Sequence, residues 1–530
     1  MFSKPIREKS LTSFLPDVIV IACCIMSMGF SIIESMLNTD AHHWGLMYAN
    51  AADLNKGLIP YKEIFIQYGF LTTLIQGFSL KILGNTVVSV GIITGIFYAV
   101  SIYLSYCLWQ KILNRWLSSL SAVLMFLIHA YIIYPWANYL SYTFLLVSLL
   151  ILIKSPERGS RYFMAGLFLA FSFLARQTSL LSALIPIYLY FLIRYFGADK
   201  VFRGLQKRNI GMFHLGMLSV AVVFILFLFR NSAIRDWISQ TFKIMDCYTY
   251  LYGRLSKMIF RLAYCLITAA TFIGRGDTRA FLYSFVFFSN LVIGLIVFLK
   301  FLRNKVSERE LLFFLFGSVA LFGYPQSFLI YEVFRLQNSA SLGIGLLVFS
   351  LYKASSLFKK KWKRPAFDVP IICLLAYLTI TLLFTKTSSV YNPWNKNLLF
   401  SSQLGAPKDI AMLKGKLYDI NTRIYYQNLS QALGNYNGQL KYLVNLTDDC
   451  YIPLLSGYYK RVQRMPFYNP NISQIIFQDE QGEITRLLTE GQAILIAKYL
   501  EQIPKNYRVV LDLKTPHFAG MTYVAVPSSI

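Results

Sequence analysis

Residues 38–76 read NTDAHHWGLMYANAADLNKGLIPYKEIFIQYGFLTTLIQ. The stretch is polar and aromatic, holds Asp40, His42, His43, Asp53 and Glu63, and carries too much charge to sit in lipid. It follows directly on the first apolar run, Phe14 to Leu37. Such a loop adds nothing to the folding of a membrane bundle, whereas a site at a membrane surface needs this chemistry.

Outward from that loop, the chain explains why a membrane is involved. It has 530 residues, 56% of them hydrophobic and only 14% charged, with a mean hydropathy of +0.50. A soluble domain of this composition would expose large apolar patches. Repeated apolar runs bounded by Lys/Arg clusters instead predict a multi-pass, all-α membrane bundle. The formal net charge of +26 does not indicate nucleic acid. The basic residues lie mostly between apolar runs, where the positive-inside bias puts them. The seven cysteines are scattered, and among five histidines only His42 and His43 are close together. Neither pattern gives a metal site or a disulfide framework, and no metal or other cofactor is expected.

The basic N-terminus, MFSKPIREKS, precedes a run that is long and lacks a small-x-small cleavage site. It is read as an uncleaved first span, 16–37, with the N-terminus cytoplasmic. The loop 38–69 is then external. Phe70–Leu83 is short and predicts a helix lying on the membrane surface. Further spans are predicted at 86–109, 117–134, 137–153, 162–176, 179–194, 211–229, 281–300, 311–330, 339–352 and 368–385. Met258–Ile273 is interrupted by Arg261. If it crossed, the basic loops 301–310 and 353–366 would lie outside, so it is read as a second surface or re-entrant helix. The total is about eleven spans, with twelve as the alternative.

The transmembrane domain therefore covers 1–385. From Lys386 the composition turns polar, and 386–530 is large enough for a small external α/β domain. Strands are predicted near Leu440–Leu446, Ala493–Ile496, Arg508–Leu513 and Thr522–Val526, and helices at Asp409–Tyr418 and Leu487–Gln492.

Asp40, just past span one, has two readings: a solvated helix-end carboxylate, or a general base that deprotonates an acceptor hydroxyl. Glu63 is a second carboxylate on the same loop, after the turn formed by Gly57 and Pro60. His42 and His43 either orient the acid, contact a phosphate, or sit at the interface beside Trp44 and Tyr48. Arg176 closes span five on the external side, against the charge bias, and so calls for an anionic partner such as a phosphate. Arg335, between spans nine and ten, is the second such arginine. A transporter, flippase or polymerase of lipid-linked saccharides is the alternative class, but few charges fall mid-span and no halves are detectable.

These residues carry a resemblance. Asp40 after span one, the helix Trp44–Asn50, the turn Gly57-x-x-Pro60-Tyr61-x-Glu63, then Tyr68-Gly69, and Arg176-Gln177-Thr178 together resemble the GT-C superfamily of integral-membrane glycosyltransferases. The branch is the bacterial one related to protein mannosyltransferases and the aminoarabinose transferase. The resemblance implies a glycosyltransferase of the bacterial inner membrane that uses a polyprenyl-phosphate-linked sugar donor. It implies an inverting displacement at the anomeric carbon on the external face, onto an acceptor (lipid, glycan or protein) that it does not name. Asp40 would be the base, Glu63 would shape the acceptor site with Tyr61, His42 and His43 nearby, and Arg176 and Arg335 would hold the donor phosphate. Ala41 stands where many relatives have a second acid.

Overall fold

The computed structural model describes residues 14–128, 134–154, 158–196, 207–271, 278–303, 305–327, 333–336, 338–362, 368–388, 404–455, 457, 459–516 and 520–530. Helices α1 (Leu15–Leu37), α2 (His43–Asn55), α3 (Phe70–Leu83) and α4 (Val87–Trp109) open the chain. They are followed by α5 (Arg115–Ile128), α6 (Asn138–Lys154), α7 (Gly159–Ala175), α8 (Ser179–Phe196) and α9 (Lys207–Arg230). A broken segment comes next: α10 (Ile234–Ile238), a π-helical turn Ser239–Lys243, and α11 (Ile244–Tyr252). The helical part ends with α12 (Leu255–Thr271), α13 (Thr278–Leu302), α14 (Glu308–Leu321), α15 (Val333–Leu336), α16 (Gly343–Trp362) and α17 (Asp368–Ser388).

Four of these, α1, α4, α9 and α13, are long and apolar enough to cross a membrane by length and composition. Among the others predicted as spans, α5 has 14 residues and α6 and α7 have 17 each, whereas α8, α16 and α17 have 18, 20 and 21. A helix of 14 to 17 residues spans the hydrocarbon core only incompletely at 1.5 Å per residue. Phe70–Leu83 is one 14-residue helix. Helix α12 carries Arg261 mid-helix and turns Phe260, Tyr264 and Ile267 outward.

The bundle closes through small residues. A Cβ added at Gly166 would meet the Phe213 carbonyl oxygen at 2.0 Å, and one at Gly216 would meet that of Phe163 at 2.0 Å. Helices α7 and α9 therefore cross backbone to backbone, at a spacing only glycine permits.

The C-terminal segment forms a five-stranded sheet in the order β2-β1-β3-β5-β4. The strands are β1 (Tyr442–Leu446), β2 (Lys460–Arg461), β3 (Ala493–Ala497), β4 (Tyr507–Lys514) and β5 (Met521–Pro527). Strand β1 runs parallel to β2 and β3, with Leu443 opposite Ile494. Strand β5 pairs antiparallel with β3 and β4. The run AILIA of β3 is wholly buried, as an unbroken apolar strand at the centre of a sheet requires. Helices α18 (Ile420–Asn435), α19 (Ile452–Leu455), α20 (Pro470–Ile476) and α21 (Gln478–Thr489) pack around it.

Asp409–Tyr418 is not the expected helix. Only the single 3-10 turn Ala411–Leu413 forms, Asp409 and Gly415 have φ of 62° and 87°, and Tyr418 bridges Gly405. The second predicted helix, Leu487–Gln492, is the tail of the longer α21, which stops at Thr489.

This sheet domain does not stand apart. Ala41, Trp44, Met47, Tyr48 and Ala51 share one apolar core with Ile410, Leu413, Tyr418, Tyr426, Leu443 and Val524. Burying both sides together fixes the loop that carries Asp40 against the sheet domain.

Candidate active site

Helix α1 ends at Leu37, and the next three residues build a tight turn. The Asn38 amide nitrogen Nδ2 donates to Glu34 Oε1 at 2.7 Å. Its Oδ1 accepts the Asp40 N–H at 2.7 Å. Asp40 in turn stands at the mouth of α2, where backbone N–H groups lack helical partners. Its Oδ1 accepts the N–H of His42 and of His43, both at 2.9 Å. Its Oδ2 lies 2.7 Å from His43 Nδ1. Burial by itself would raise the Asp40 carboxyl. The His43 ring hydrogen bond, the His43 charge and the His43 N–H outweigh burial and hold it below its ordinary range. The carboxylate is thus ionised yet still reachable, with the Asp40 side chain 17% exposed and that of His43 28%.

His42 points elsewhere. Its ring meets Phe467 of the sheet domain at 4.4 Å. Burial, aided by His43, lowers its pKa, so it is neutral at pH 7.

The His43 ring leans on Tyr134 at 4.4 Å and Trp136 at 5.2 Å. Tyr134 and Trp136 stack at 4.7 Å, and Tyr68 also stacks with Trp136 at 5.5 Å. The Arg335 guanidinium sits 5.6 Å over the Trp136 ring. Arg176, the C-cap of α7, is 8% exposed and donates from Nε to Thr178 Oγ1 at 2.8 Å. Its Nη1 is buried without a hydrogen-bond partner among the described residues. Arg176 and Arg335 repel one another, and both act electrostatically on Tyr68, as does Asp40. The structure therefore gathers Asp40, His43, Arg176 and Arg335 around one aromatic wall. Gly69 permits this: a Cβ there would lie 2.2 Å from the Ala175 carbonyl oxygen, so Tyr68 is drawn against the end of α7.

Glu63 lies away from this group, and Tyr61 reaches it only through Gln177, the neighbour of Arg176. Tyr61 is buried with φ of 68°, an unfavourable backbone for a non-glycine residue. Gln240, in the π turn, holds it there: its Nε2 donates to the Tyr61 carbonyl at 2.5 Å, and its Oε1 accepts the Ile66 N–H at 3.0 Å. The Tyr61 hydroxyl accepts from Gln177, next to Arg176, at 3.5 Å. Glu63 is exposed, and its Oε2 accepts the Ile59 N–H at 2.8 Å. It lines a polar cavity with Asp53, Lys62 and Arg461. Thirteen-residue α2 separates that end of the loop from Asp40, about 20 Å at 1.5 Å per residue.

Sequence reasoning missed Tyr68, Tyr134 and Trp136 as site residues, although Tyr134-Pro135-Trp136 marks the turn between α5 and α6. It also missed everything the sheet domain brings, for which the local sequence carries no signal. The Cys450 N–H donates to the Ala41 carbonyl at 3.3 Å, and Asp449 lies close enough to feel Asp40. Burial raises the Asp449 carboxyl to about 6, against hydrogen bonds from the Tyr451 N–H and the Tyr426 hydroxyl. Among the described residues, no three His, Cys, Asp or Glu side chains gather as a metal site.

No protein family profile and no curated protein matches the chain. Solved structures do. The apo oligosaccharyltransferase of Archaeoglobus fulgidus matches with a TM-score of 0.53 and 10% identity, over 93% of this chain and 70% of that one. Apo ArnT from Cupriavidus metallidurans matches with a TM-score of 0.51 and 12% identity, over 98% of this chain and 99% of that one. Over nearly its whole length the chain therefore shares the fold of these two solved structures.

Proposed function

We propose that the chain is a glycosyltransferase that moves a sugar from a polyprenyl-phosphate donor to an acceptor hydroxyl, at the external face of a bacterial inner membrane. The observation that carries this reading is the pairing of an ionised, reachable carboxylate, Asp40, with two guanidiniums, Arg176 and Arg335, across the Tyr68–Trp136 wall. Like charges brought together, one of them with a buried N–H lacking a partner, suit an anion between them.

The acceptor oxygen attacks the anomeric carbon as the carbon–oxygen bond to phosphate breaks, with inversion. The hydroxyl proton passes to Asp40, which His43 keeps anionic until then. Polyprenyl phosphate leaves with the bonding electrons, and Arg176 and Arg335 stabilise the negative charge that develops on it. Tyr61 and Gln177 back the arginine corner. Glu63 shapes the entry of a longer acceptor, and His42 anchors the loop to the sheet domain. The remaining apolar helices complete about eleven spans, with the N-terminus cytoplasmic and the sheet domain external.

The test is to supply purified protein in nanodiscs with a panel of polyprenyl-phosphate sugars and acceptors. Released polyprenyl phosphate and a product of inverted anomeric configuration support the reading. Retained configuration, or binding and translocation of donor with no transfer to any acceptor, counts against it.

A further inference from the structure

Lys416 belongs to the sheet domain, yet its side chain is driven into the end of α1. The residue is 0% exposed. Its Nζ donates to the Ser35 carbonyl at 2.9 Å and to the Asn38 carbonyl. The next residue adds a third contact, the Leu417 N–H donating to the Met36 carbonyl at 2.8 Å. The last carbonyls of a helix have no helical donors, and a cation there is favoured by the helix dipole. The two residues thus cap α1 from another domain. The Tyr418 ring, 4.9 Å from Nζ, closes the pocket. This explains why 409–418 is no helix: an irregular strand is needed to lay Lys416 and Tyr418 across the end of α1.

Asn38 links this cap to the reacting carboxylate. Its carbonyl accepts from Lys416, while its side chain joins Glu34 to the Asp40 N–H. We propose that Lys416 is a positioning residue for Asp40, so that the sheet domain completes the active site by fixing the Asn38–Asp40 turn. This inference rests on the reading of Asp40 as the base. The groups facing Asp40 are His42 and His43 of α2, Tyr68 of the first loop, and Lys416, Tyr418, Asp449, Cys450 and Tyr451 of the sheet domain. Lys416 is the one lysine among them, and Glu34 faces it from α1.

The experiment measures polyprenyl-phosphate release and donor binding for Lys416→Met across pH. The expected result is a fall in kcat of about 10- to 100-fold from misplacement of the carboxylate. Donor Kd is unchanged, because Arg176 and Arg335 are untouched. The acid limb of kcat moves to higher pH, because Asp40 loses a nearby cation. Wild-type kcat, or a fall in kcat with the acid limb in its wild-type place, overturns the proposal. If Lys416→Met does not fold, Asn38→Ala reads the same linkage. It is expected to lose kcat at unchanged donor Kd, and wild-type kcat in that variant overturns the proposal. Asp40→Asn runs alongside: full turnover there removes the base assignment itself, a failure separate from that of Lys416.

Discussion

His43 Nδ1 lies 2.7 Å from Asp40 Oδ2, while the other oxygen of the same carboxylate accepts the N–H of both His42 and His43. One residue, His43, thus supplies two of the three hydrogen bonds that keep Asp40 ionised. His43→Phe keeps a ring against Tyr134 and Trp136 but removes the Nδ1 donor. The folded pKa of Asp40 then rises, so the acid limb of activity moves to higher pH, while turnover at neutral pH falls less than in Asp40→Asn. A pH–rate profile of the two variants checks this.

Arg176 and Arg335 differ in surroundings, and so should their variants. The Arg335 guanidinium sits 5.6 Å from the centre of the Trp136 ring, and lysine does not reproduce the broad, weakly hydrated guanidinium at such a site. Arg176 is buried and bonded through Nε to Thr178. Arg335→Lys and Arg176→Gln are each expected to weaken binding of a polyprenyl-phosphate sugar about tenfold or more. Binding of the uncharged polyprenol should not change. Titration with both lipids separates a phosphate contact from general damage.

The sheet domain is clamped to the far end of α2 by Asp53 and Arg461, with side chains 4% and 11% exposed and Nη1 2.7 Å from Oδ2. The contact is close but not aligned as a hydrogen bond, and Arg461 also donates from Nε to the Gln463 carbonyl at 2.6 Å. Arg461→Met leaves buried Asp53 with only the exposed Lys56, 4.0 Å from its Oδ1, and is expected to cost about 3 kcal/mol. Adding Asp53→Asn recovers most of that loss. Thermal unfolding of the singles and the double measures it.

Arg464 serves three carboxylates: Asp236 at 3.4 Å, Asp479 at 2.8 Å and Glu480 at 3.4 Å. One guanidinium does not neutralise all three. Burial raises Glu480 to about 7, against the opposing pull of Arg464. Its folded pKa exceeds its ordinary value of 4.5, so the folded state holds more protons between those values. Its contribution to stability is therefore present at low pH and lost as pH rises through about 7. Glu480→Gln is expected to flatten the fall in thermal stability over that window.

How far the sequence reached follows from the range of the interactions. Apolar runs and the polar loop between them are local signals, and Asp40, Arg176 and the strand AILIA were legible from them. Arg335 was legible only as a cation outside a span; its seat on Trp136 joins residues far apart in the chain. Lys416 sits in a stretch whose composition looks helical, and only α1, hundreds of residues earlier, gives it a purpose. Helix α18 went unread although Asp419 caps it, accepting the Thr422 N–H at 2.9 Å. Glu63 shares one loop with Asp40 in the sequence, and only the folded chain shows that α2 sets the two at opposite ends of it.

The proposed reaction turns on Asp40 as the base. The most direct measurement is single-turnover release of polyprenyl phosphate by Asp40→Asn, made beside donor binding. The expected result is an unchanged donor Kd and a rate lower by about 10²- to 10⁴-fold. Release at the wild-type rate by a folded, donor-bound Asp40→Asn would contradict it.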